Sequence, residues 1–241
     1  MEHFLNPMIQ TRRSVRFVAL VSLVVGCIPL SGSVQGRPSL MEAARQPILT
    51  FATALAANGV PAGILVPQSA LDEARGTLPG PSERAGSLDA ALARFVEQHP
   101  KYRAVRHSGA LIIRHNDVPE ELDRLLQQSA AGVQWMDRPA LLAAIDVGRQ
   151  ISGEPDRGGG VAGTGPLPDG CPISAPINHR GQKATAIDLL DSIVRQSKAL
   201  VWAVVFPTTF KTELNLRLGL VCGNERVYFI DVSRQRSEAR H

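Results

Sequence analysis

The sequence predicts an α+β fold built from small helix-plus-hairpin (βαββ-type) modules, with the plan present twice after an N-terminal signal segment. The stretch Gly86–Arg114 has the pattern of a capped amphipathic helix followed by two strands. A second capped helix followed by strands extends over Thr185–Val232. Residues 152–172 between them are rich in Gly and Pro and poor in apolar side chains, which is typical of a linker or a surface loop.

The N-terminus has the pattern of an export signal. An apolar run over Phe17–Leu30 follows a cluster of arginines, and the run is shorter than the ~20 residues of a transmembrane helix. The sequence Val34-Gln35-Gly36 then offers a cleavage site after Gly36. We therefore predict that residues 1–36 are a signal peptide, with an uncleaved N-terminal anchor as the alternative.

A four-residue pattern inside this run offers a further alternative. Val24-Val25-Gly26-Cys27 resembles the bacterial lipobox, which has two permissive apolar residues, a small residue and a cysteine. The resemblance implies lipid attachment at Cys27, which would tether the protein to a membrane. The sequence leaves open whether Cys27 is lipidated or removed with the signal.

The first elements after the signal are a helix and a strand. Pro47 suits the first helical position, and Gly59 ends the amphipathic segment between them. Val60–Val66 is an apolar run bounded by prolines, which predicts a strand. Residues 68–86 are rich in Gly, Pro and Ser, and we expect a loop there, with a helical turn near residues 70–74 as an alternative.

The central helix and hairpin come next. Ser87 is a good N-cap, and apolar residues recur after it at helical spacing. Two strands, Tyr102–Arg106 and Ala110–Arg114, are joined by Ser108-Gly109. A two-residue turn would place two arginines, Arg103 and Arg114, directly opposite each other, which is unfavourable. We therefore expect a register shifted by one residue, or a frayed end.

Two helices follow the hairpin. Asp117 starts a helix that extends to about Ser129, and Asp137 starts another over Pro139–Arg149. Between them, Gly132–Trp135 is expected to be a short strand. Together with the preceding elements they form the predicted first module, residues 44–150.

The second module is predicted over residues 173–233. Ile173–Asn178 is expected to be a strand, and Thr185 caps a helix to Gln196, with Asp188 in a capping-box position. The strands expected after it are Leu200–Phe206, Leu214–Cys222 and Arg226–Val232. Sliding Ser87 onto Thr185 aligns the apolar positions of the two helices without a gap, which favours a duplication. The sequence leaves open whether the modules share one sheet or form two domains.

Charge argues against a nucleic-acid partner. The chain has 26 basic and 22 acidic residues, with a formal net charge of +4 and a pI of about 9.3. The excess lies in the first 36 residues and in the basic tail 234–241, which we expect to be disordered. The remainder is close to neutral and lacks the basic face that nucleic acid requires.

Cysteine usage favours an oxidising compartment. With Cys27 in the signal, Cys171 and Cys222 remain and are candidates for a disulfide. The alternative is two independent buried thiols.

The central stretch carries a family resemblance. The sequence SLDAALARFVEQHPKYRAVRHSGALIIR, with the helix and strand before it, resembles the short N-terminal (STN-like) module of secretins and TonB-dependent receptors. The resemblance covers about residues 47–114, and residues 173–232 more loosely. It implies a non-catalytic periplasmic interaction module. Because residues 115–241 do not have the pattern of a secretin or receptor barrel, we expect no transport role for them.

No residue pattern predicts a catalytic, metal or cofactor site. The histidines His99, His107 and His115 are eight residues apart, a spacing that gathers no ligands on one helix or strand face. The glycines at 158–160 lack the Gly-Lys-Ser/Thr ending of a phosphate-binding loop. Asp188 and Asp191 are interpreted as helix-start and solvated-face carboxylates.

One nucleophile set can be imagined from the sequence. It would combine Cys171 or Ser174 with His179 and Asp188, but none of these lies in a nucleophile elbow or a cysteine-protease signature. An unrecognised hydrolase is therefore kept only as an alternative.

The function we predict is a non-catalytic, exported bacterial envelope protein that binds or assembles with protein partners of the envelope. Exposed strand edges of the hairpins would accept a partner strand. The expected location is periplasmic or secreted, with membrane contact only through the N-terminal segment. A lipid-tethered structural envelope protein is a further alternative.

Overall fold

A computed structural model describes residues 37–71, 76–80, 87–130, 132–153, 161–162, 171–181, 183–207, 213–222 and 226–235. Its contacts divide the chain into two units, Met1–Val34 and Gln35–His241, and every described residue belongs to the second. The predicted signal segment, with Cys27 and the cleavage site after Gly36, lies outside the described residues.

Seven α-helices and nine strands occur in the described residues, so the predicted α+β class is confirmed. The helices are α1 (Leu40–Ala43), α2 (Ile48–Ala57), α3 (Gln68–Leu71), α4 (Leu88–Gln98), α5 (Glu120–Leu126), α6 (Ala140–Ser152) and α7 (Ala186–Ser197), with a 3₁₀ turn at Pro172–Ser174. The strands are β1 (Ala62–Pro67), β2 (Tyr102–His107), β3 (Ala110–His115), β4 (Trp135–Pro139), β5 (Val161–Ala162), β6 (Pro176–His179), β7 (Leu200–Phe206), β8 (Glu213–Cys222) and β9 (Arg226–Gln235).

Seven of these strands form one sheet in the order β2-β3-β1-β7-β8-β9-β5. β1 lies inside the sheet and is parallel to both of its neighbours, β3 and β7, whereas the outer pairs are antiparallel. β1 and β7 are buried along their whole length, which explains their continuous apolar sequences. Strands from both predicted modules therefore lie in a single sheet.

Apolar side chains form a layer on each face of this sheet. Phe51 of α2 and Phe95 of α4 belong to the layer on one face, and their rings stack at 4.4 Å. The other layer contains the buried side chains of α5, α6 and α7, including Leu122 and Leu189. The two helices that align in the sequence, α4 and α7, thus cover opposite faces. Their similarity in sequence does not give them equivalent positions in the sheet.

The predicted caps at Ser87 and Thr185 are confirmed. Ser87 Oγ accepts a hydrogen bond from Ala90 N at the start of α4. At the start of α7, Thr185 Oγ1 accepts from Asp188 N, and the Asp188 carboxylate accepts from Thr185 N. These bonds satisfy backbone donors that a helix start leaves unpaired.

The predicted helix starts at Asp117 and Asp137 are wrong, because the N-caps of α5 and α6 are prolines without a side-chain cap bond, and Asp137 lies in β4.

The segment around the Gly/Pro-rich stretch differs from the prediction. The strand expected at 132–135 is instead β4, which begins at Trp135 and pairs with β6 in a separate two-stranded sheet. The strand expected from Ile173 begins only at Pro176, because a 3₁₀ turn with Pro172 at its start occupies the first residues. The predicted linker also contributes β5, which pairs with β9. β9 itself continues to Gln235, so residues 234 and 235 of the predicted tail are strand.

The predicted disulfide joins Cys171 and Cys222, whose Cα atoms are 5.9 Å apart. Cys222 ends β8 in the seven-stranded sheet, and Cys171 directly precedes the 3₁₀ turn that leads to β6. The bond therefore ties the segment before the small sheet to the large sheet.

Candidate functional site

The β2–β3 hairpin places a strand at the edge of the large sheet. β2 pairs on its inner side with β3, from Tyr102 opposite His115 to His107 opposite Ala110. Since the His107–Ala110 pair closes the turn, the antiparallel pattern directs the backbone groups of residues 103, 105 and 107 toward β3. Those of residues 102, 104 and 106 are directed away from the sheet.

The outer side of β2 has unpaired backbone groups. Tyr102 N donates to His99 O, so that donor is satisfied. Among the described residues, no strand pairs with the outer side of β2, and no group bonds the outward N–H and C=O of Ala104 and Arg106. These two residues present the donors and acceptors that a further strand would use.

The turn of the hairpin fits the two-residue connection. Ser108 has a φ of 44° and Gly109 a φ of 84°, so both central residues are in the left-handed region. This pattern is that of the type I′ turn, whose twist matches that of the strands. The turn fixes the register of the hairpin.

The expectation of a shifted or frayed register is wrong. Arg103 lies directly opposite Arg114, within an unbroken series of pairs. The repulsion is avoided because both Nη atoms of Arg114 donate to the two carboxylate oxygens of Asp123 on α5. Arg103 remains exposed and is free to turn into solvent. A tertiary ion pair thus removes the charge conflict that local pairing implies.

A buried hydrogen-bond chain holds the tip of the hairpin. His107 Nδ1 lies 2.8 Å from Asp191 Oδ2, and Trp202 Nε1 donates to Asp191 Oδ1 at 2.8 Å. The Asp191 side chain is fully buried. Burial raises its pKa, against the opposing effect of the bonds from His107 and Trp202. These hydrogen bonds connect His107, the last residue of β2, to Asp191 of α7 and to Trp202 of β7.

A second set of contacts ties the turn to the start of α7. Ser108 Oγ donates to Asp188 Oδ1 at 2.8 Å, and Thr185 donates to Asp188 Oδ2 from its N (3.0 Å) and from its Oγ1 (2.7 Å). Partial burial raises the pKa of Asp188, but these bonds and the nearby His107 together bring it below its ordinary value. The tip of the hairpin is therefore held at two carboxylates of one helix.

The interpretation of Asp191 as a solvated-face carboxylate is wrong. The sequence does contain a signal for its burial, because Asp191 follows Ile187 by four residues and precedes Val194 by three, so all three share one side of the helix. It therefore falls on the apolar side of α7. A carboxylate in such a position requires partners, which Trp202 and His107 provide.

The three histidines lie in separate surroundings. His107 is at the hairpin tip, whereas His115 is buried and its Nδ1 accepts from Asp117 N at 3.1 Å. The His99 ring packs on Phe95 at 4.6 Å. Across the described ranges, His, Cys, Asp and Glu side chains form no group of three or more that could hold a metal ion.

The imagined nucleophile set is not assembled. Cys171 is bound in the disulfide, and Asp188 is occupied at the hairpin tip. His179 packs edge-on against Trp135 at 5.8 Å. Ser174 is exposed in the 3₁₀ turn, and within the described residues its side chain makes no hydrogen bond to His179 or Asp188. These four residues therefore do not form an activated nucleophile.

A pocket of about 440 Å³ lies beside β4 and α6. Its lining includes Trp135, Asp146, Arg149 and Gln150. Asp146 already accepts from Trp135 Nε1 at 3.2 Å and from two nitrogens of Arg138 at 3.0 Å. Arg149 Nη1 also lies 3.8 Å from Asp146 Oδ1, so the carboxylate at this pocket already has cationic partners.

Comparison of the chain with protein-family models, with curated proteins and with solved structures finds no match. Among the helices of the described residues, none combines the length and the apolar character that crossing a membrane requires.

Replacing Asp188 by Asn is expected to reduce stability most at neutral pH. Because the pKa of Asp188 is lower in the folded chain than its ordinary value of 3.8, its carboxylate stabilises the fold above that pH. This contribution is lost as the pH falls below 3.8 through the folded value. The Tm difference between wild type and Asp188→Asn should therefore be largest near pH 6 and shrink toward pH 2.5. The pKa of Asp191 is raised, which gives stability the opposite dependence on pH. Asp191 is present in both proteins, so it does not change the Tm difference between them. A constant difference over this range would contradict the expectation.

Proposed function

We propose that this protein is a non-catalytic interaction module of the bacterial cell envelope, which binds an extended segment of a partner protein along β2. The observation that carries the proposal is the unpaired outer backbone of Ala104 and Arg106 at the sheet edge. A partner strand placed there would form main-chain hydrogen bonds and extend the sheet.

The surroundings of the edge support this proposal. His107 and Ser108 are fixed to α7 through Asp191 and Asp188, so the hairpin is held in one position before any partner arrives. A preorganised edge loses less conformational entropy on binding than a mobile one. The edge is therefore suited to accept a segment that becomes ordered on binding.

The resemblance to STN-like modules agrees with this role. The described order β1, α3, α4, β2, β3 contains the helix-plus-hairpin order that carries the resemblance in the sequence, with the short helix α3 between β1 and α4. The disulfide between Cys171 and Cys222 favours an oxidising location, such as the periplasm or the exterior. A lipid at Cys27 would add a tether to the membrane, and the mass of the mature N-terminal peptide distinguishes lipidation from cleavage after Gly36.

Placing a photo-crosslinking amino acid at Arg103 is expected to capture envelope proteins in living cells, because this side chain is exposed at the edge. The same amino acid at Leu142 on α6, which is also exposed, serves as the matched control. Capture should depend on position 103, and the captured proteins can be identified by mass spectrometry.

The backbone requirement is tested with Ala104→Pro. Proline removes an outward N–H but no bond to β3, so the hairpin should remain folded. We expect this variant, in the Arg103 crosslinking background, to lose most of the captured product while its circular dichroism stays that of the parent. Equal capture from positions 103 and 142, or undiminished capture with Ala104→Pro, would refute binding along β2.

A further inference from the structure

We infer that the segment bound at β2 is acidic, with the local pattern acidic–any–apolar–acidic along the partner strand or its reverse. The inference rests on the proposed binding at β2 and adds the chemistry of the partner. It follows from the charges at the edge, from the exposed side chains on each face of β2, and from the cost of pairing two copies of the same edge.

The side chains at the edge are predominantly basic. Lys101, Arg103 and Arg106 are exposed on or beside β2. Neither Lys101 nor Arg103 makes an ion pair with a carboxylate of the described residues. Arg106 donates to Asp89 Oδ1 at 3.3 Å, and both side chains are largely exposed. Such exposed pairs contribute little, so a partner carboxylate can replace Asp89.

The alternation of the strand assigns these side chains to the two faces of the sheet. Tyr102 and Ala104 pack on the α4 side, and Arg106 reaches Asp89 of α4 on that side. Arg103, Val105 and His107 therefore lie on the other side, where His107 meets α7. Val105 is 43% exposed, so an apolar side chain faces solvent at this edge.

Directly opposite residues on neighbouring strands lie on the same face and interact. A partner residue opposite Arg103 would therefore be acidic, and the residue opposite Val105, two positions along, would be apolar. The next residue would face Arg106 and would again be acidic. This gives the stated pattern for a parallel strand, and its reverse for an antiparallel one.

A second copy of this chain does not fit the edge. Pairing two β2 strands would bring the cations of each copy together, and Asp89 is the carboxylate that the described contacts place at this edge. Like charges on facing strands are destabilising, and basic edges are a common protection against self-pairing. A partner chain that carries carboxylates at these positions would instead be attracted to the cations of β2.

The test is selection of a displayed library of random octapeptides on the full chain, followed by measurement of amide exchange in the complexes. We expect the wild type to enrich peptides with the acidic–any–apolar–acidic pattern. Replacing the acidic residues of a selected peptide by Gln should weaken its binding by roughly twofold to tenfold, because each exposed ion pair contributes only a small amount. The amides of Ala104 and Arg106 should become protected in the complex.

Two double variants separate charge at the edge from total charge. Arg103→Glu/Arg106→Glu should lose the acidic peptides and enrich basic ones. Arg180→Glu/Lys183→Glu changes the net charge equally at exposed positions outside the hairpin and should select as the wild type does.

The results of this test distinguish the acidic character of the partner from its binding along β2. Protection of Ala104 and Arg106 by peptides without acidic preference would overturn the acidic partner and retain binding along β2. Enriched peptides that leave these amides unprotected, or a library without any enrichment, would overturn both.

Discussion

Gly63→Ala is expected to lower the free energy of unfolding by about 3 kcal/mol, the upper part of the range for overpacked cores. Gly63 of β1 lies beside Trp202 of β7 in the parallel register. A Cβ at position 63 would fall within the buried indole of Trp202. Glycine is therefore required here by the close approach of a side chain to the backbone.

The indole cannot easily turn away to make room. Trp202 Nε1 donates to Asp191 Oδ1 at 2.8 Å, and the carboxylate it would leave is fully buried. Displacing the ring would leave a buried acceptor without this donor, which adds a cost to the overlap. Moving the indole to relieve the steric overlap would therefore leave the Asp191 carboxylate without the Trp202 donor.

Urea unfolding of four proteins measures this coupling: the wild type, Gly63→Ala, Trp202→Phe and the double variant. Phenylalanine is smaller and lacks the N–H, so Gly63→Ala should cost less in that background, and the two changes should not be additive. Gly80→Ala is the matched control, since a Cβ there meets no atom within 4 Å. Additive effects of the two changes would show that the indole does not limit position 63.

Loss of the disulfide is expected to lower the free energy of unfolding by about 4 kcal/mol in the chain-entropy model. Cys171 and Cys222 are 51 residues apart in the sequence, so the bond restricts a large loop of the unfolded chain. The midpoint of urea unfolding of the wild type should fall when dithiothreitol is added. The variant Cys171→Ser/Cys222→Ser should have the lower midpoint with or without reductant. A wild-type midpoint that does not respond to reductant after verified reduction of the bond would contradict the expectation.

Features determined by neighbouring residues could be predicted from the sequence. The cap at Ser87 and the capping box of Thr185 and Asp188 depend on residues within one helical turn. The hairpin joined by Ser108-Gly109 likewise depends on its own turn. The pair Cys171–Cys222 was predictable for a different reason, because only two cysteines remain after the N-terminal segment.

Features determined by distant residues could not be predicted. The register of Arg103 and Arg114 depends on Asp123, which belongs to the next helix. The placement of β1 between β3 and β7 depends on segments that local patterns treat as separate modules. Hydrophobic periodicity identifies a buried strand but does not identify its neighbours.

The sequence predicts that hairpin edges are exposed, but it does not identify which strand lies at the edge of the sheet. Exposed hairpin edges were expected, and β2 is the edge strand at the hairpin end of the sheet. The anchor of its tip was missed, because the interaction of His107 with Asp191 joins two elements that are far apart in sequence. The apolar neighbours of Asp191 on α7 were the available signal.

The internal position of β1 has a consequence for how fast the chain folds. Ala62 pairs with Leu111 on one side and with Val201 on the other, so the two neighbours of this strand are synthesised at very different times. Parallel pairings between distant segments must close long loops before they gain contacts, which makes folding slow. Until β7 arrives, one side of an apolar strand remains open to incorrect pairing. The strand that is most protected in the finished sheet is thus completed late in its assembly.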